Sequence, residues 1–549
     1  MALSRRDLLL RAAALSAAPS LGALPAQAAS GPFQASWESL VSRYRAPAWY
    51  GEAKFGIWAH WTAQCVPEMG DWYARQMYIQ GNPDYDDHLK RYGHPSKSGF
   101  MEIDNLWKAE RWEPEKLLTL YERAGAKYFV ALANHHDNFD AFDSRYHNWN
   151  SVKVGPKRDI VGTWEKLVRE RGLRFGVSNH SAHAWHWFQV AYGYDAVGPL
   201  AGVRYDAYRL TKADGKGTWW EGLDPQELYT GRNMVIPDGI DSIAAMNAWH
   251  DAHDRVWTED PPAMNPAFTR SWLLRCKDLM DKYRPDYVYF DDTGLPLGQA
   301  GLDATAHFYN ANMQWHGGAL EAVVTGKLLP PEHLPGLVED VERGFSAGIR
   351  PAPWQTDTCI GDWHYSRAIF EQHKYKTAES VIQRLCDTVS KNGNLLLNIP
   401  LRGDGSIDSD EHAILEALAA WMADNGEAIF ATRPWTIYGE GPTKVDAVMF
   451  GEQHTKPFTP ADIRFTTKGE TLYAQVLGVP ADGKVTIASL GDGATVTKGK
   501  VERVEMLGAA GPLAVTHGQA GLSVTLPAPP KAGFVPVLKI NGTGLVGAV

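Results

Sequence analysis

One pattern recurs through the first half of the chain and restricts the fold more than any other feature. An apolar, strand-like run ends in a cluster of polar, ring-bearing residues. After Ala46, KFGIWAHW ends on His60-Trp61. KYFVALANHHDNF ends on Asn134-His135-His136-Asp137, RFGVSNHSAHAW on Asn179-His180, and PDYVYFDDTG on Asp291-Asp292. Helical stretches separate several of these runs. EPEKLLTLYERAGA has Pro114 suited to a first turn, apolar Leu117, Leu118, Tyr121 and Ala124, and Gly125 as a stop. DIVGTWEKLVRERG repeats the plan with Ile160, Trp164, Leu167 and Gly172; TRSWLLRCKDLMDKY precedes the Asp291 run, and AESVIQRLCDTVSKNG precedes NLLLNI. Strands and helices in alternation imply parallel strands with crossover helices. Polar clusters at one end of every strand are what a (β/α)8 barrel with a site requires, because such sites lie at the C-terminal strand ends. The expected fold class is α/β, a (β/α)8-like (TIM-type) barrel.

Two regions break the pattern. Residues from about 190 to 268 are rich in Gly, Asp, Tyr and Trp and read as a large insertion over the site. After about Pro434, DIRFTTKGETLYAQVLG alternates at period two around a Lys468-Gly469 turn, and KVTIASLG, VERVEMLG and LSVTLPAPP are further short strands. These predict a C-terminal antiparallel β-sandwich. The expected division is 1–28 leader, 29–435 catalytic barrel with its insertion, and 436–549 sandwich.

The leader is a targeting signal. SRRDLLL sets two arginines before an apolar stretch that ends in the A-x-A-like site Ala26-Gln27-Ala28. This is a twin-arginine type of signal and predicts export to the periplasm or the exterior. No later apolar run reaches the roughly 18 residues that a membrane span needs. The formal charge is −10, and the leader carries +2, which leaves about −12 on the rest. So acidic a chain argues against nucleic acid as a partner, since phosphates call for a basic face. Cys65, Cys276, Cys359 and Cys386 fit neither a zinc motif nor a disulfide framework, and their spacing predicts no pairing. The 21 Trp are numerous. Most serve core packing, but indole faces also suit the apolar face of a pyranose.

The clustered histidines allow two readings. His60, His135, His136 and His180 can form a metal cage, or they can serve as neutral hydrogen-bonding groups for a polyhydroxyl ligand. The second is preferred, because adjacent strand residues point to opposite faces and converge only beyond the strand end. Glycoside hydrolysis needs two carboxyl groups. Asp291, short and at a strand end, suits the nucleophile; Asp292 suits the turn that follows. No G-x-S-x-G elbow, P-loop or G-x-G-x-x-G stands at a strand–helix junction, which disfavours serine hydrolase, nucleotide and dinucleotide chemistry.

Several longer motifs, in order, resemble glycoside hydrolase family 29, the α-L-fucosidases: AKFGIWAHW, NHHDNFDAFDS, SRYHNWNSVKVGPKRDIVG, VSKNGNLLLNIP and NGEAIFATRPW. The resemblance covers roughly Trp49 to Pro442. It implies a barrel with a C-terminal β-sandwich and retaining hydrolysis of terminal α-L-fucosides in a fucosylated oligosaccharide or glycoconjugate, with no metal and no cofactor. It places the nucleophile at Asp291 and hydroxyl-binding groups at His60, Asp71, Trp72, Tyr73, His135 and His136. The acid/base precedes a Trp-acid/amide pair, matched here by Trp354-Gln355, and Trp354 itself is expected among the substrate-binding residues. Glu342 is the choice, with Glu339 and Asp340 as rivals. Trp363, in GDWHY, is the wall for the sugar's C5 methyl.

Two positions depart from the family pattern. Asp71 stands where Glu is frequent, one methylene short, so contact requires a closer backbone. Ser178, Asn179 and His180 replace an aromatic run, which moves or removes a ring contact. These departures put substrate preference in doubt and leave two alternatives: the same chemistry on a related sugar such as an α-L-galactoside, or a carbohydrate-binding protein without catalysis.

Overall fold

The structure, a computed structural model, describes residues 30–497 and 499–547. The leader expected over 1–28 lies outside the described residues.

Eight parallel strands close into a barrel: β1 (Phe55–Ala59), β2 (Tyr128–Asn134), β3 (Arg174–Asn179), β4 (Tyr287–Thr293), β5 (Val323–Lys327), β6 (Val338–Asp340), β7 (Trp354–Cys359) and β8 (Gly393–Asn398). Each pairs with the next in chain order, and β8 closes on β1 through Phe55↔Leu395 and Ile57↔Leu397. Every residue of β1, β2, β5, β7 and β8 is buried. Both faces of these strands are covered, which explains their continuous apolar runs.

The predicted helices form where their caps indicated. Pro114 opens helix Pro114–Arg123, and Gly125 follows it at φ +104°. Asp159 caps helix Ile160–Glu170 by accepting the Gly162 N–H. Helices Pro266–Tyr283, Gln299–Trp315 and Ala378–Ser390 lead into β4, β5 and β8. The alternation fails between β5 and β7. The links there hold no α-helix, and a 3-10 turn at Leu334–Gly336 is their only helical piece. The N-terminal helix Trp37–Arg43 covers this flank: Trp37 stacks on His333 at 3.9 Å, and a Cβ on Gly336 would meet Leu40 and Val41 at 3.3–3.4 Å.

The insertion folds into short helices, the longest Ile243–Ala252, around a small core of Tyr194, Ala196, Ile236 and Met246. Beyond helix Ser409–Asn425 lie, among the described residues, eight antiparallel strands in two sheets. The larger holds β9 (Arg433–Glu440), β10 (Ile463–Lys468), β11 (Thr471–Val476), β13 (Lys500–Met506) and β16 (Val537–Thr543), in the order β13-β16-β11-β10-β9. The smaller holds β12 (Lys484–Ile487), β15 (Gly521–Thr525) and β14 (Val515–Gly518). The period-two pattern of β10 and β11 does not translate into alternating exposure. One face packs in the sandwich and the other against the barrel, where Arg464 Nε reaches Asp387 Oδ1 at 2.6 Å and Thr466 donates to the Ala428 carbonyl. All four cysteines are buried, unpaired thiols. Among the described residues no helix is long and apolar enough to cross a membrane.

Candidate active site

The C-terminal ends of the barrel strands surround a cavity of about 470 Å³, within the range of small-ligand sites. Its floor is Asp291 on β4 and Lys327, the last residue of β5. Lys327 Nζ ion-pairs with Asp291 Oδ1 and lies 2.6 Å from Glu342 Oε2. Both carboxyls therefore reach one ammonium, so their nearest oxygens are no more than about two hydrogen-bond lengths, roughly 5–6 Å, apart. All three side chains are less than one-fifth exposed.

The two acids have opposite proton affinities. Burial works to raise the Asp291 carboxyl, but Lys327 and His180 outweigh it and hold it well below the usual carboxylate range. Burial raises Glu342 and the Asp291 charge adds to this, so its carboxyl lies above the ordinary value despite Lys327. Burial opposes the Lys327 charge, yet Asp291, Glu342, Asp357 and Asp340 keep it firmly protonated. Asp291 Oδ2 also faces His180 Nδ1 at 3.1 Å and His136 Nε2 at 3.5 Å.

Strand geometry separates Glu342 from its rivals. Residues i and i+2 share a face. Asp340 points into the barrel below the cavity, where its Oδ1 accepts from Gln355 Nε2. Glu342, just past the strand end, lines the cavity, whereas Glu339 faces out and pairs with Arg350.

The histidines divide the wall into acceptors and donors. Asn398 Nδ2 donates to the Trp363 carbonyl, so its Oδ1 accepts from the His60 N–H and, at 3.3 Å, from His60 Nδ1. Neutral His60 then offers a lone pair at Nε2. Gln64 Oε1 accepts from Ala74 N, so Gln64 Nε2 donates to His135 Nδ1 at 2.8 Å and leaves His135 with an N–H at Nε2. Burial keeps both imidazoles neutral, well below their ordinary titration range. A metal cage of His60, His135 and His180 needs a lone pair where His135 carries its proton; the arrangement suits hydroxyl groups instead. His136 donates Nδ1–H to the His180 carbonyl.

Asp71 and Trp72 line the cavity. Asp71 Oδ1 lies 2.6 Å from His364 Nδ1. Trp72 is held at φ +67°, strained for a bulky residue. Trp363 and Trp58 form an aromatic corner with His60, at centroid distances of 5.1 and 4.0 Å. The other end of the cavity is closed by Trp257 from the insertion and by Met449 and Phe450 from the stretch after β9. The Phe450 N–H donates to the Glu342 carbonyl at 2.8 Å.

Two expected site residues lie elsewhere. Tyr73 is fully buried and its hydroxyl bonds His88 Nδ1 at 2.7 Å; as the first residue of helix Tyr73–Gln76, it diverges from Trp72. Trp354 begins β7, at the barrel end opposite the cavity, where its indole donates to the Lys391 carbonyl and packs over Gly393. Asp292 does not serve a turn either: β4 continues through Thr293, and Asp292 is buried against His183. Lys327 went unread, although EAVVTGK follows the same rule of an apolar run ending in a polar group. His180 takes the place of the missing aromatic and contacts Asp291.

Residues 21–427 match the family described as Alpha-L-fucosidase, and residues 456–541 match the Alpha-L-fucosidase C-terminal domain. Tissue alpha-L-fucosidase of Macaca fascicularis is 29% identical over 92% of this chain and 91% of that protein. The Homo sapiens tissue enzyme is 28% identical over the same shares. Among solved structures, Thermotoga maritima alpha-fucosidase in complex with a mechanism-based inhibitor superposes with a TM-score of 0.64 at 25% identity, covering 92% of this chain and 99% of that one. Alpha-L-fucosidase isoenzyme 1 from Paenibacillus thiaminolyticus gives 0.59 at 19%, covering 93% and 100%.

Proposed function

The chain belongs to the α-L-fucosidase family of glycoside hydrolases, and on that premise we propose that it is an exo-acting enzyme that releases terminal α-L-fucosyl residues from glycans by double displacement. The reading rests above all on two carboxyls of opposite proton affinity held on one ammonium, Asp291 ionised and Glu342 biased toward its acid form. A retaining pair stands about 5–5.5 Å apart, with an ionised nucleophile and a protonated partner, and the Asp291–Lys327–Glu342 bridge is compatible with that spacing.

In the first step Asp291 attacks the anomeric carbon as the glycosidic bond breaks, and the Glu342 proton passes to the leaving oxygen. Esterified Asp291 carries no charge. Its contribution to raising Glu342 disappears, so Glu342 becomes a stronger acid and, having given up its proton, rests as a carboxylate beside Lys327. That carboxylate accepts a proton from water, the water oxygen bonds to the anomeric carbon, and the bond to Asp291 breaks. The lone pair of His60 and the N–H of His135 give adjacent hydroxyls one acceptor and one donor, and Trp363 offers a flat apolar face.

The test is release of 4-nitrophenol from its α-L-fucoside by wild type, Asp291→Asn and Glu342→Ala, with and without azide. The expected outcome is loss of nearly all turnover in Asp291→Asn, and partial recovery of Glu342→Ala by azide with fucosyl azide as product. Undiminished turnover in Asp291→Asn would overturn the assignment. Export by the twin-arginine route is also part of the proposal; a mature N-terminus at Ala29 in the periplasmic fraction is its check.

A further inference from the structure

A second cluster of polar groups stands on the other face of β4. Side chains alternate along a strand, so Asp292 turns to the face opposite Asp291, although it still borders the main cavity. Its Oδ1 lies 2.9 Å from His183 Nε2, and Glu259 Oε2 lies 3.4 Å from the same nitrogen. Asp292 and His183 are completely enclosed. Glu259 belongs to the segment that closes the insertion; its Oε1 accepts the Thr293 N–H at 2.8 Å, which turns Oε2 into the cluster. His183 Nε2, Glu259 Oε2 and both Asp292 oxygens are buried without a hydrogen bond of acceptable geometry.

A relay of hydrogen bonds fixes what His183 presents. The Asp254 carbonyl only accepts, so His186 donates Nδ1–H to it at 3.0 Å. Neutral His186 then keeps a lone pair on Nε2, and His183 Nδ1, 3.3 Å away, is the donor. Burial holds both imidazoles neutral, with His186 lowered to about 3 and His183 to about 4. The His183 Nε2 lone pair therefore faces two carboxyl groups. Burial, with repulsion from Asp292 on Glu259 and from Asp291 on Asp292, raises Glu259 to about 9 and Asp292 to about 7, so without a cation the only donor the cluster holds is a proton on the acids themselves. One ligand atom from each residue lies within 4.8 Å of the others. Donors about 2.1 Å from a shared zinc-like ion stand roughly 3.0 Å apart at a right angle and roughly 3.4 Å apart at the tetrahedral angle; the two separations from His183 Nε2 match this.

We propose that His183, Glu259 and Asp292 bind a divalent transition ion of the zinc class, with water completing its coordination. One imidazole and two carboxylates suit such an ion, whereas calcium takes six to eight oxygens and magnesium is rarely caged by protein. The His183–His186 bond is the outer hydrogen bond that orients a metal-bound imidazole. The ion ties the segment around Glu259 to β4. It also holds a cavity wall, because the Trp257 ring stacks on His183 at 3.7 Å and 29°.

The full chain is stripped with dipicolinate and titrated with Zn²⁺ by calorimetry, beside metal analysis of untreated protein. Glu259→Gln and His183→Gln test the cluster; His135→Gln tests the imidazoles of the main cavity. The expected result is one zinc per wild-type chain, unchanged binding in His135→Gln, and affinity at least about 100-fold weaker in Glu259→Gln and His183→Gln. Should either variant fail to fold, the stripped wild type decides: zinc raises its Tm, and Co²⁺ gives it a visible ligand-field spectrum. No saturable binding by stripped wild type would overturn the proposal and assign the gap to a proton on Glu259. Loss of binding in His135→Gln alone would also overturn it and move the ion to the main cavity.

Discussion

Replacing Lys327 with Met keeps the stem and removes the charge that both carboxyls share. Lys327 favours the ionised form of each, so its loss raises both. A unit charge about 4 Å from a carboxylate is worth about 4 kcal/mol at an effective dielectric of 20, which is about three pH units. Both carboxyls are partly open to water and their mutual repulsion spreads the shifts, so at least one unit is expected on each limb. The assay is kcat/KM for 4-nitrophenyl α-L-fucoside between pH 3 and 10, with Tm measured on the same samples. The acid limb, set by ionisation of Asp291, and the basic limb, set by loss of the Glu342 proton, should both move to higher pH. A folded variant with an unmoved profile would refute the role given to Lys327, whatever its absolute rate.

Trp363→Ala should raise KM for aryl fucosides about tenfold, since a lost aromatic face is worth about 0.5–1.5 kcal/mol beyond area burial; initial rates across substrate concentration check this. Phe450→Ala should alter kcat/KM by different factors for an aryl fucoside and a fucosylated oligosaccharide, because this side chain enters the cavity from outside the barrel. Glu452 is buried among Arg343, Arg384 and Lys376, with Arg384 Nη1 at 2.9 Å and Lys376 Nζ at 3.0 Å. Burial raises its carboxyl, but the three cations outweigh this and lower it to about 2. A lowered carboxyl stabilises above its unfolded pKa, so this contribution is present above about pH 4.5 and is lost as pH falls toward 2. Glu452→Gln should cost about 3–5 kcal/mol near neutral pH, with the Tm gap to wild type narrowing in acid; calorimetry at pH 7 and pH 3.5 measures it.

The barrel was legible where an apolar run ends in ring-bearing polar residues or follows a clear helical period, as in β1 to β4 and β8. β5 to β7 were not. β5 is buried and follows a helix but ends on a lysine, the links from β5 to β7 hold no α-helix to mark them, and β6 contains two acids in three residues, Glu339 paired outward with Arg350 and Asp340 held inside by Gln355. A buried carboxyl network of Tyr289, Asp340 and Asp357 replaces the apolar pattern that a strand search recognises. Asp291 and the paired histidines could be found because strand ends and family motifs both point to them; Glu342 could be found only through its place before a family motif. Tyr73 and Trp354 sit beside true cavity or barrel residues in sequence, but one step along a helix or strand turns a side chain away. Trp257, Glu259 and Phe450 arrive from loops distant in sequence, and no local spacing encodes their convergence.

The most direct test of double displacement through Asp291 and Glu342 is the configuration of the first sugar released. Proton NMR of the anomeric region during rapid hydrolysis of an aryl α-L-fucoside should show α-L-fucose first, with the β anomer appearing only at the rate of mutarotation. Initial accumulation of β-L-fucose would mean direct attack by water and would remove the covalent role of Asp291.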